Sequence, residues 1–314
     1  MSKTMTLPEF TLNASDKFSG ITAGAAVAAN ICGETIKPTS DIAQALANNV
    51  VGRVDFASGD NDAYIVSPQS FRRESDDYKE RISELANVFI DKETEDKIIH
   101  SPDIGGPRDV LSELLSELVQ NVFDHSGADD ARVCAIRTRY NGTLAVGDLG
   151  CGLRPKFSRI LELYENDAAF SDSATFENSK LLRRCDEFGG NYLYFFLCLR
   201  PFVSTGLGAN KGYGLYSLLK TCERHAIYSN SKIFHPGHTR DGNGVRLDTV
   251  DRQGLSEGMI CEFHFNLQGM PGKLAEVAKT INRARNSRSE KIRALRLELE
   301  DNHLSSDLIE EILR

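Results

Sequence analysis

The strongest constraint on the fold is a run of apolar residues at helical spacing that begins near Pro107, a residue suited to the first turn of a helix. At about 100° per residue, the apolar side chains of this run fill one broad face of a helix. Glu117 and Asn121, one turn apart, fall together at the border of that face. The sequence therefore predicts an amphipathic helix packed on a larger core, with these apolar positions: Val110, Leu111, Leu114, Leu115, Leu118, Val119, Val122 and Phe123.

A β-hairpin is predicted directly after this helix. The segments 132–138 and 144–146 are strand-like, and the dipeptide Asn141-Gly142 between them is typical of a tight hairpin turn. The second strand runs into residues 147–152, which read Gly-Asp-Leu-Gly-Cys-Gly. An aspartate is thus expected at the end of a strand, with glycines in the turn that follows. The candidate site residues here are Asp148, Gly150 and Gly152.

The long connection that follows is predicted to be a lid. Residues 153–211 are poorly patterned, and a plain connection of this length is unusual in a compact domain. A glycine-rich turn at 211–214 then opens a further helix, and the glycine cluster at 206–208 is the alternative position for that turn. Strands are expected after the helix, near 226–229, 232–235, 245–250 and 259–267.

The helix motif and the hairpin motif together resemble the first two motifs of the GHKL ATPases, the superfamily of DNA gyrase B, heat-shock chaperone ATPases, mismatch-repair ATPases and histidine kinases. The stretch SELVQNVFDHSGADDARVCAIRTRYNGTLAVGDLGCGL is most similar to the mismatch-repair version. The similarity covers roughly residues 105–268, about half of the chain. It implies the Bergerat ATP-binding fold, a two-layer α/β sandwich with a mixed, mostly antiparallel sheet.

The resemblance also implies a role for each polar residue of the two motifs. Asn121 corresponds to the asparagine that supplies one side-chain oxygen to Mg²⁺, a cation that prefers hard oxygen ligands. Glu117 corresponds to the carboxylate that orients or deprotonates the attacking water during phosphoryl transfer. Asp148 corresponds to the aspartate that accepts a hydrogen bond from the adenine amino group, where guanine offers a carbonyl instead.

The glycines correspond to positions where the backbone approaches the nucleotide. Gly150 and Gly152 are expected to lie close to the adenine base. The turn with Lys211, Gly212 and Gly214 is expected to bind phosphate oxygens at a helix N-terminus, with Lys211 at the γ-phosphate. The family often has a threonine after the glycine that opens the last strand, but here Gly258 is followed by Met259, so that contact is missing or moved.

Three regions are expected along the chain: a mixed α/β segment at 1–95, the ATP-binding domain at 100–270, and a helical tail at 272–314. The tail repeats apolar residues at near-helical spacing, among them Leu274, Val277 and Leu299. This apolar stripe is expected to be buried on another chain, either a homodimer or a partner protein. Packing on residues 1–95 is the alternative.

Composition limits the other classes of function. The formal net charge of −8 argues against direct nucleic-acid binding over a broad surface. The sequence has no secretory signal and no apolar run of the ~20 residues that a membrane helix needs. Its seven cysteines lack metal-ligand spacing, which is typical of reduced thiols in a cytoplasmic protein.

These features favour a stand-alone, Mg²⁺-dependent ATPase whose nucleotide state switches the lid and flanking helices to control a partner protein. A protein serine kinase of the anti-sigma type is the first alternative, since such kinases also have glutamate where Glu117 stands. A histidine kinase is less favoured, because no phosphoacceptor helix precedes the core. A DNA-processing machine would need a transducer domain, for which the tail is too short.

Overall fold

The computed structural model describes residues 23–36, 40–55, 62–73, 77–90, 106–152, 214–229, 232–236, 245–249, 258–286, 293, 296–297, 299–301 and 305–313. Its helices are α1 (Ala23–Ile31), α2 (Asp41–Ala47), α3 (Tyr78–Phe89), α4 (Pro107–Asn121), α5 (Gly214–Thr221), α6 (Met270–Asn286) and α7 (Ser306–Leu313). Its strands are β1 (Val51–Asp55), β2 (Asp62–Arg72), β3 (Asp130–Arg137), β4 (Asn141–Asp148), β5 (Arg224–Ser229), β6 (Lys232–Pro236), β7 (Val245–Thr249) and β8 (Met259–Asn266).

These strands form one sheet in the order β1-β2-β3-β4-β8-β5-β6-β7, so the last strand of the sequence lies in the interior of the sheet. All pairings among the described strands are antiparallel. The predicted α/β class and antiparallel pairing are therefore confirmed. The parallel pair that a mixed sheet would require does not occur among these strands.

Helices cover both faces of the sheet. The main face packs against α3–α7, around a core that includes Leu118 and Phe263. The rear face packs against α1 and α2, around a smaller core that includes Val27 and Tyr228. Because successive side chains of a strand point to opposite faces, each central strand feeds both cores. The sequence predicted a two-layer sandwich, whereas the described residues place helices on both faces of the sheet.

The rear face also holds a buried carboxyl group. Glu262 alternates along β8 with the apolar residues Cys261 and Phe263 of the main-face core, yet it is only 2% exposed. Its Oε2 atom accepts a hydrogen bond from the Gly24 amide at 2.9 Å, and its Oε1 atom lies 2.7 Å from His264 Nε2. A carboxylate at the N-terminal end of a helix is favoured by the exposed amides there. Glu262 thus fixes the start of α1 against the sheet, a contact between distant parts of the sequence.

Helix α4 has the amphipathic character that its sequence predicts. All eight apolar positions of the predicted stripe are buried. Pro107 stands in the first turn, and the Gly106 amide donates a 3.1 Å hydrogen bond to the Asp109 carboxylate, which satisfies a backbone donor at the helix start. Burial of the apolar stripe holds α4 against the main face of the sheet and fixes the direction of its polar edge.

The hairpin turn between β3 and β4 lies earlier than predicted. The Thr138 amide donates a 2.8 Å hydrogen bond to the Asn141 carbonyl, so Arg139-Tyr140 is the centre of the turn. Asn141 and Gly142 instead begin β4. The physical reason lies in packing, because a Cβ atom at Gly142 would lie 2.6 Å from the ring of Phe89. The glycine makes room for an aromatic side chain of α3 rather than for a turn.

The region before residue 95 is continuous with the rest of the sheet. Strand β2 pairs with β3, and α3 packs against α4. Arg73, just after β2, donates hydrogen bonds to the Phe123 carbonyl at 2.5 Å and to the Asp124 carboxylate at 2.9 Å. A guanidinium group near the C-terminal end of a helix is electrostatically favourable. The N-terminal region therefore supports the end of α4.

The expected burial of the tail on another chain is wrong for the part of the stripe that the structure describes. Leu274, Val277 and Leu299 are buried in the main-face core of the same chain. Helix α6 packs against α4 and α5, and its buried residues share the main-face core with residues of the N-terminal region such as Phe89. Its first turn follows β8 after a short connection, which brings the apolar stripe directly over the sheet. The remaining apolar positions of the predicted stripe, 281, 292 and 295, have side chains outside the described part of the chain.

We expect Leu274→Ala to lower the free energy of unfolding by about 2–5 kcal/mol, because the Leu274 side chain is fully buried and its removal leaves a cavity. Urea unfolding at pH 7.5 measures the change. Lys279→Ala, on the exposed side of the same helix, is the matched control and should change stability by less than about 0.5 kcal/mol. If the two variants unfold at the same urea concentration, α6 does not belong to the core.

Candidate functional site

Three elements bring the predicted site residues to one end of the sheet. Helix α4 ends beside the C-terminal end of β4, where the Cys151 amide donates a 2.8 Å hydrogen bond to the Ser126 carbonyl. Helix α5 and strand β5 are joined by residues 222–223, so the chain reverses direction between them. Since β5 ends level with Asp148, α5 begins at this same end. The site end is defined here as this junction of α4, β4 and α5.

Glu117 and Asn121 lie at the border of the buried face of α4, as predicted. Both are half-buried, and Oε2 of Glu117 is shielded from solvent. Asn121 is the last residue of α4, and the chain continues as a π-helical turn, Val122–Ser126. Such turns recur at functional sites because they redirect side chains at a helix end. The carbonyl groups at this helix end carry partial negative charge, which suits a bound cation.

Asp148 is a buried carboxylate at the end of β4, only 2% exposed. Burial raises the pKa of Asp148 to about 6, while hydrogen bonds from the Gly150 amide and the Ser126 side chain oppose that rise. The Gly150 amide donates to Oδ1 at 2.7 Å. A group of this kind is a strong hydrogen-bond acceptor in a dry environment, and it titrates close to physiological pH.

Gly150 lies in close backbone contact with the end of α4. A Cβ atom at this position would overlap the carbonyl oxygen and the side chain of Ser126. Gly152 is buried and has a φ of 70°, a conformation that glycine adopts readily. The two glycines thus allow the turn after β4 to approach the π-helical turn. The structure brings Glu117, Asn121, Asp148, Gly150 and Gly152 to the site end.

A row of three residues crosses the sheet at the site end. Asp148 on β4 is opposite Met259 on β8, which is opposite Ser229 on β5. Strand alternation directs all three side chains toward the main face. Ser229 is buried, and its hydroxyl donates a 3.4 Å hydrogen bond to the Gly258 carbonyl. Met259 occupies the position where the GHKL ATPases often have threonine. The hydroxyl group of this row is instead that of Ser229, on the neighbouring strand β5.

The glycine motif for phosphate lies partly outside the described residues. Gly214 is the first residue of α5, so a helix begins where the motif predicts one. Lys211 and Gly212 are outside the described part of the chain, as are the alternative cluster at 206–208 and the predicted lid at 153–211. Helix α5 ends at Thr221, because the chain turns there to enter β5.

Two serines of the site end were not identified from the sequence. Ser126 lies in the π-helical turn, and Ser229 lies at the end of β5. A serine after a helix or at a strand end is common, so neither position carries a recognisable sequence signal. Their relation to Asp148 depends on contacts between elements that are far apart in the sequence.

Among the described residues, no group of three or more His, Cys, Asp or Glu is arranged to hold a metal ion. None of the helices in the described part of the chain is long and apolar enough to cross a membrane. Comparison of the chain with family models, curated proteins and solved structures gives no match. The resemblance to the GHKL ATPases therefore depends on the motifs and on the geometry of the residues that carry them.

Proposed function

We propose that this chain is a GHKL-type ATPase with a Bergerat ATP-binding fold, dependent on Mg²⁺, in which ATP binds at the site end. The observation that carries the proposal is the position of Asp148, a buried carboxylate held where α4 meets β4. A buried carboxylate is costly unless it is hydrogen-bonded. The Gly150 amide donates one hydrogen bond to the Asp148 carboxylate, and the adenine amino group could donate a second.

The residues around Asp148 fit a planar purine. In this proposal the backbone of the turn after β4, at Gly150 and Gly152, lies beside the base, and the missing side chain of Gly150 lets that turn pack on Ser126. The row of Asp148, Met259 and Ser229 lies beside that turn on the main face. In this proposal Asp148 selects adenine, Met259 contributes apolar surface, and Ser229 contributes the hydroxyl that the last strand lacks.

The end of α4 suits the magnesium ion and the attacking water. Asn121 would bind Mg²⁺ through its side-chain oxygen, with phosphate and water oxygens completing the octahedral set. Bound Mg²⁺ neutralises phosphate charge during phosphoryl transfer. Glu117, one turn earlier on the same edge of the helix, orients or deprotonates the water. The Oε2 atom of Glu117 is shielded from bulk solvent, as a group that acts on a single bound water would be.

The start of α5 suits the phosphates. Helix N-termini attract anions through exposed amides and the helix dipole, and Gly214 opens a helix of two turns that packs on α4. Lys211, Gly212 and Gly214 would together bind the β- and γ-phosphates. The segment 153–211 joins the adenine-binding turn to this motif, so a contact with the γ-phosphate would act on both of its ends.

The proposed consequence is a regulatory switch in the cytoplasm. ATP would order the lid at 153–211, and hydrolysis would release it, so that a partner protein or a second copy of the chain reads the nucleotide state. The core is extended by β1, β2 and the rear-face helices, whereas anti-sigma serine kinases are typically little more than the core domain. This extension favours the ATPase over the kinase.

We expect Mg-ATP to bind and Mg-GTP to bind at least about tenfold more weakly, because a carboxylate pairs with the adenine amino group but repels the guanine carbonyl. Titration calorimetry with each nucleotide, with and without EDTA, measures the ratio. Single-turnover assays of phosphate release then test hydrolysis. Equal affinities for ATP and GTP would contradict the adenine assignment, and radiolabel that appears on protein rather than as free phosphate would favour the kinase.

A further inference from the structure

The π-helical turn at the end of α4 is held from the N-terminal region by Arg73, which lies directly after β2. The Nη2 atom of Arg73 donates to the Phe123 carbonyl at 2.5 Å and to Oδ1 of Asp124 at 2.9 Å. Its own amide donates to the Asp129 carbonyl at 3.3 Å, where the chain is about to enter β3. Arg73 therefore spans the segment between α4 and β3, with its backbone bound after the turn and its guanidinium bound within it.

Neighbouring side chains add to this support. Asp124 also accepts a 2.9 Å hydrogen bond from the side chain of Gln120, one turn earlier. The Phe123 ring is buried, with the Arg73 guanidinium 6.0 Å from its centre and the Tyr78 ring edge-on to it at 6.3 Å. The network thus joins the last turn of α4 to the π-helical turn, and it uses residues from β2 and α3 to do so.

This support matters because the carbonyl groups at the end of a helix lack partners within the helix. The Val122 carbonyl accepts a 2.7 Å hydrogen bond from the Ser126 hydroxyl, whereas the Phe123 carbonyl accepts from Arg73. A π-helical turn is rare and differs from the regular α-helix by one residue per turn. Loss of the Arg73 contact would favour a return to the regular pattern, which would turn the adjacent residues about the helix axis.

We propose that Arg73 is a positioning residue that holds the π-helical turn so that Asn121 directs its side-chain oxygen toward Mg²⁺, an inference that rests on the proposed function. Asn121 is the last residue of α4, and the turn begins at the next residue. Its orientation is therefore set from one side by the apolar packing of α4 and from the other by the turn that Arg73 holds. The N-terminal region thereby contributes to the metal site, although Arg73 lies outside both motifs.

The sign of the effect distinguishes positioning from charge. A guanidinium repels a divalent cation, and Arg73 also neutralises Asp124, which would otherwise attract one. Through charge alone, removal of Arg73 would strengthen the binding of Mg²⁺, whereas through positioning the same change weakens it. The Arg73 side chain is 49% exposed, and an ion pair of this kind contributes little to overall stability, so variants at this position are expected to fold.

The test measures the Kd for ATP by calorimetry in EDTA and in saturating Mg²⁺, and the ratio of the first value to the second gives the contribution of the metal. We expect Arg73→Ala to lower this ratio by about tenfold, the low end for a hydrogen bond to a charged group, because the guanidinium is half-exposed. Arg73→Lys should retain the ratio to within about threefold, since both side-chain hydrogen bonds come from one nitrogen atom that an ammonium group can replace. Arg72→Ala, the matched control, removes the same charge from the neighbouring exposed position and should leave the ratio unchanged.

A double variant tests whether Arg73 acts through Asn121. Asn121→Ala alone should lower the ratio, and the addition of Arg73→Ala should lower it no further, because two changes that act on the same contact are not additive. Full additivity would show that Arg73 acts independently of Asn121 and would overturn the inference. Thermal unfolding reports folding. Arg73→Met, which keeps the aliphatic stem and removes the donors, replaces Arg73→Ala if the alanine variant fails to fold.

Failure of the inference and failure of the proposed function give different results. A ratio that is unchanged in the folded Arg73 variant, with ATP bound equally less tightly in Mg²⁺ and in EDTA, would show a merely structural role. A raised ratio would show that the guanidinium acts only through its charge. Either result would overturn the inference while ATP binding stands. A wild-type chain that binds no ATP, or binds it equally with and without Mg²⁺, would overturn the proposed function and the inference together.

Discussion

Asp148→Asn is expected to weaken ATP binding by about 10- to 100-fold while making the folded protein more stable at pH 8. The loss of affinity follows from the loss of a charged acceptor, worth about 1.5–3 kcal/mol. The gain in stability follows from burial, which raises the pKa of Asp148 to about 6 from an ordinary value of 3.8. The amide of asparagine is neutral and can still accept from the Gly150 amide.

The sign of the pH dependence follows from proton linkage. As pH rises from about 4 to about 6, the unfolded chain releases the Asp148 proton while the folded chain keeps it, so unfolding becomes more favourable. Above pH 6 the wild-type protein bears the full cost of a buried charge, on the order of 3 kcal/mol for a shift of about two pKa units. At pH 4 the variant and the wild type should differ little.

Urea unfolding at pH 4, 6 and 8 measures this difference, since other titrating groups contribute equally to both proteins. Asp55→Asn is the matched control, because the Asp55 side chain is 81% exposed. Its stability should follow that of the wild type at each pH. A variant at Asp148 that is destabilised at pH 8, or one that retains full ATP affinity, would show that the buried carboxylate serves the fold rather than the nucleotide.

Glu117→Gln and Glu117→Ala are expected to lower the rate of ATP hydrolysis by about 100-fold or more, with the Kd for Mg-ATP changed by less than about threefold. A general base contributes about 10²–10⁴-fold to such a reaction, and it does not hold the ground-state nucleotide. Single-turnover phosphate release gives the rate, and calorimetry gives the Kd. Glutamine preserves the size of the side chain and removes only its basicity.

Two variants on the same helix complete the experiment. Glu113→Ala, one turn before Glu117 on the exposed side of α4, should hydrolyse ATP at the wild-type rate. Asn121→Ala should instead weaken Mg²⁺-dependent binding, because it removes a proposed ligand of the metal. If both Glu117 variants hydrolyse ATP at the wild-type rate, the general base is a residue other than Glu117. Loss of binding in both Glu117 variants as well as in Asn121→Ala would point to a structural role for the end of α4.

Periodicity in the sequence was sufficient to identify most of the described elements. Strand β8 was predicted within one residue of its observed bounds and α4 with its observed start, because their apolar residues follow periods of 2 and 3.6 over many positions. The Asn141-Gly142 turn was predicted incorrectly. Turn propensity is a local preference, and here the tertiary contact between Gly142 and Phe89 determines why a glycine is present.

The polar border of α4 and the end of β4 were also predictable, since each depends on a short stretch of chain. Glu117 and Asn121 share an edge through helical geometry, and Asp148 ends a strand because glycines follow it. The meeting of these two elements was expected only from the resemblance to the GHKL ATPases. The hydrogen bond between Cys151 and Ser126 brings the two elements together, and it joins residues that periodicity cannot relate.

The burial of Glu262 and the path of the tail were decided by tertiary structure alone. Glu262 lies at one of the polar positions that alternate with apolar residues along β8. It is nevertheless buried, because α1 covers that face of the sheet and the Gly24 amide donates a hydrogen bond to its carboxyl group. Leu274 and Val277 form an apolar stripe, which predicts that another surface covers it but not which one. In the fold this stripe is covered within the same chain, where α6 packs against α4 and α5. A sequence pattern fixes which side of an element is apolar, whereas the element that covers that side depends on contacts between residues far apart in the chain.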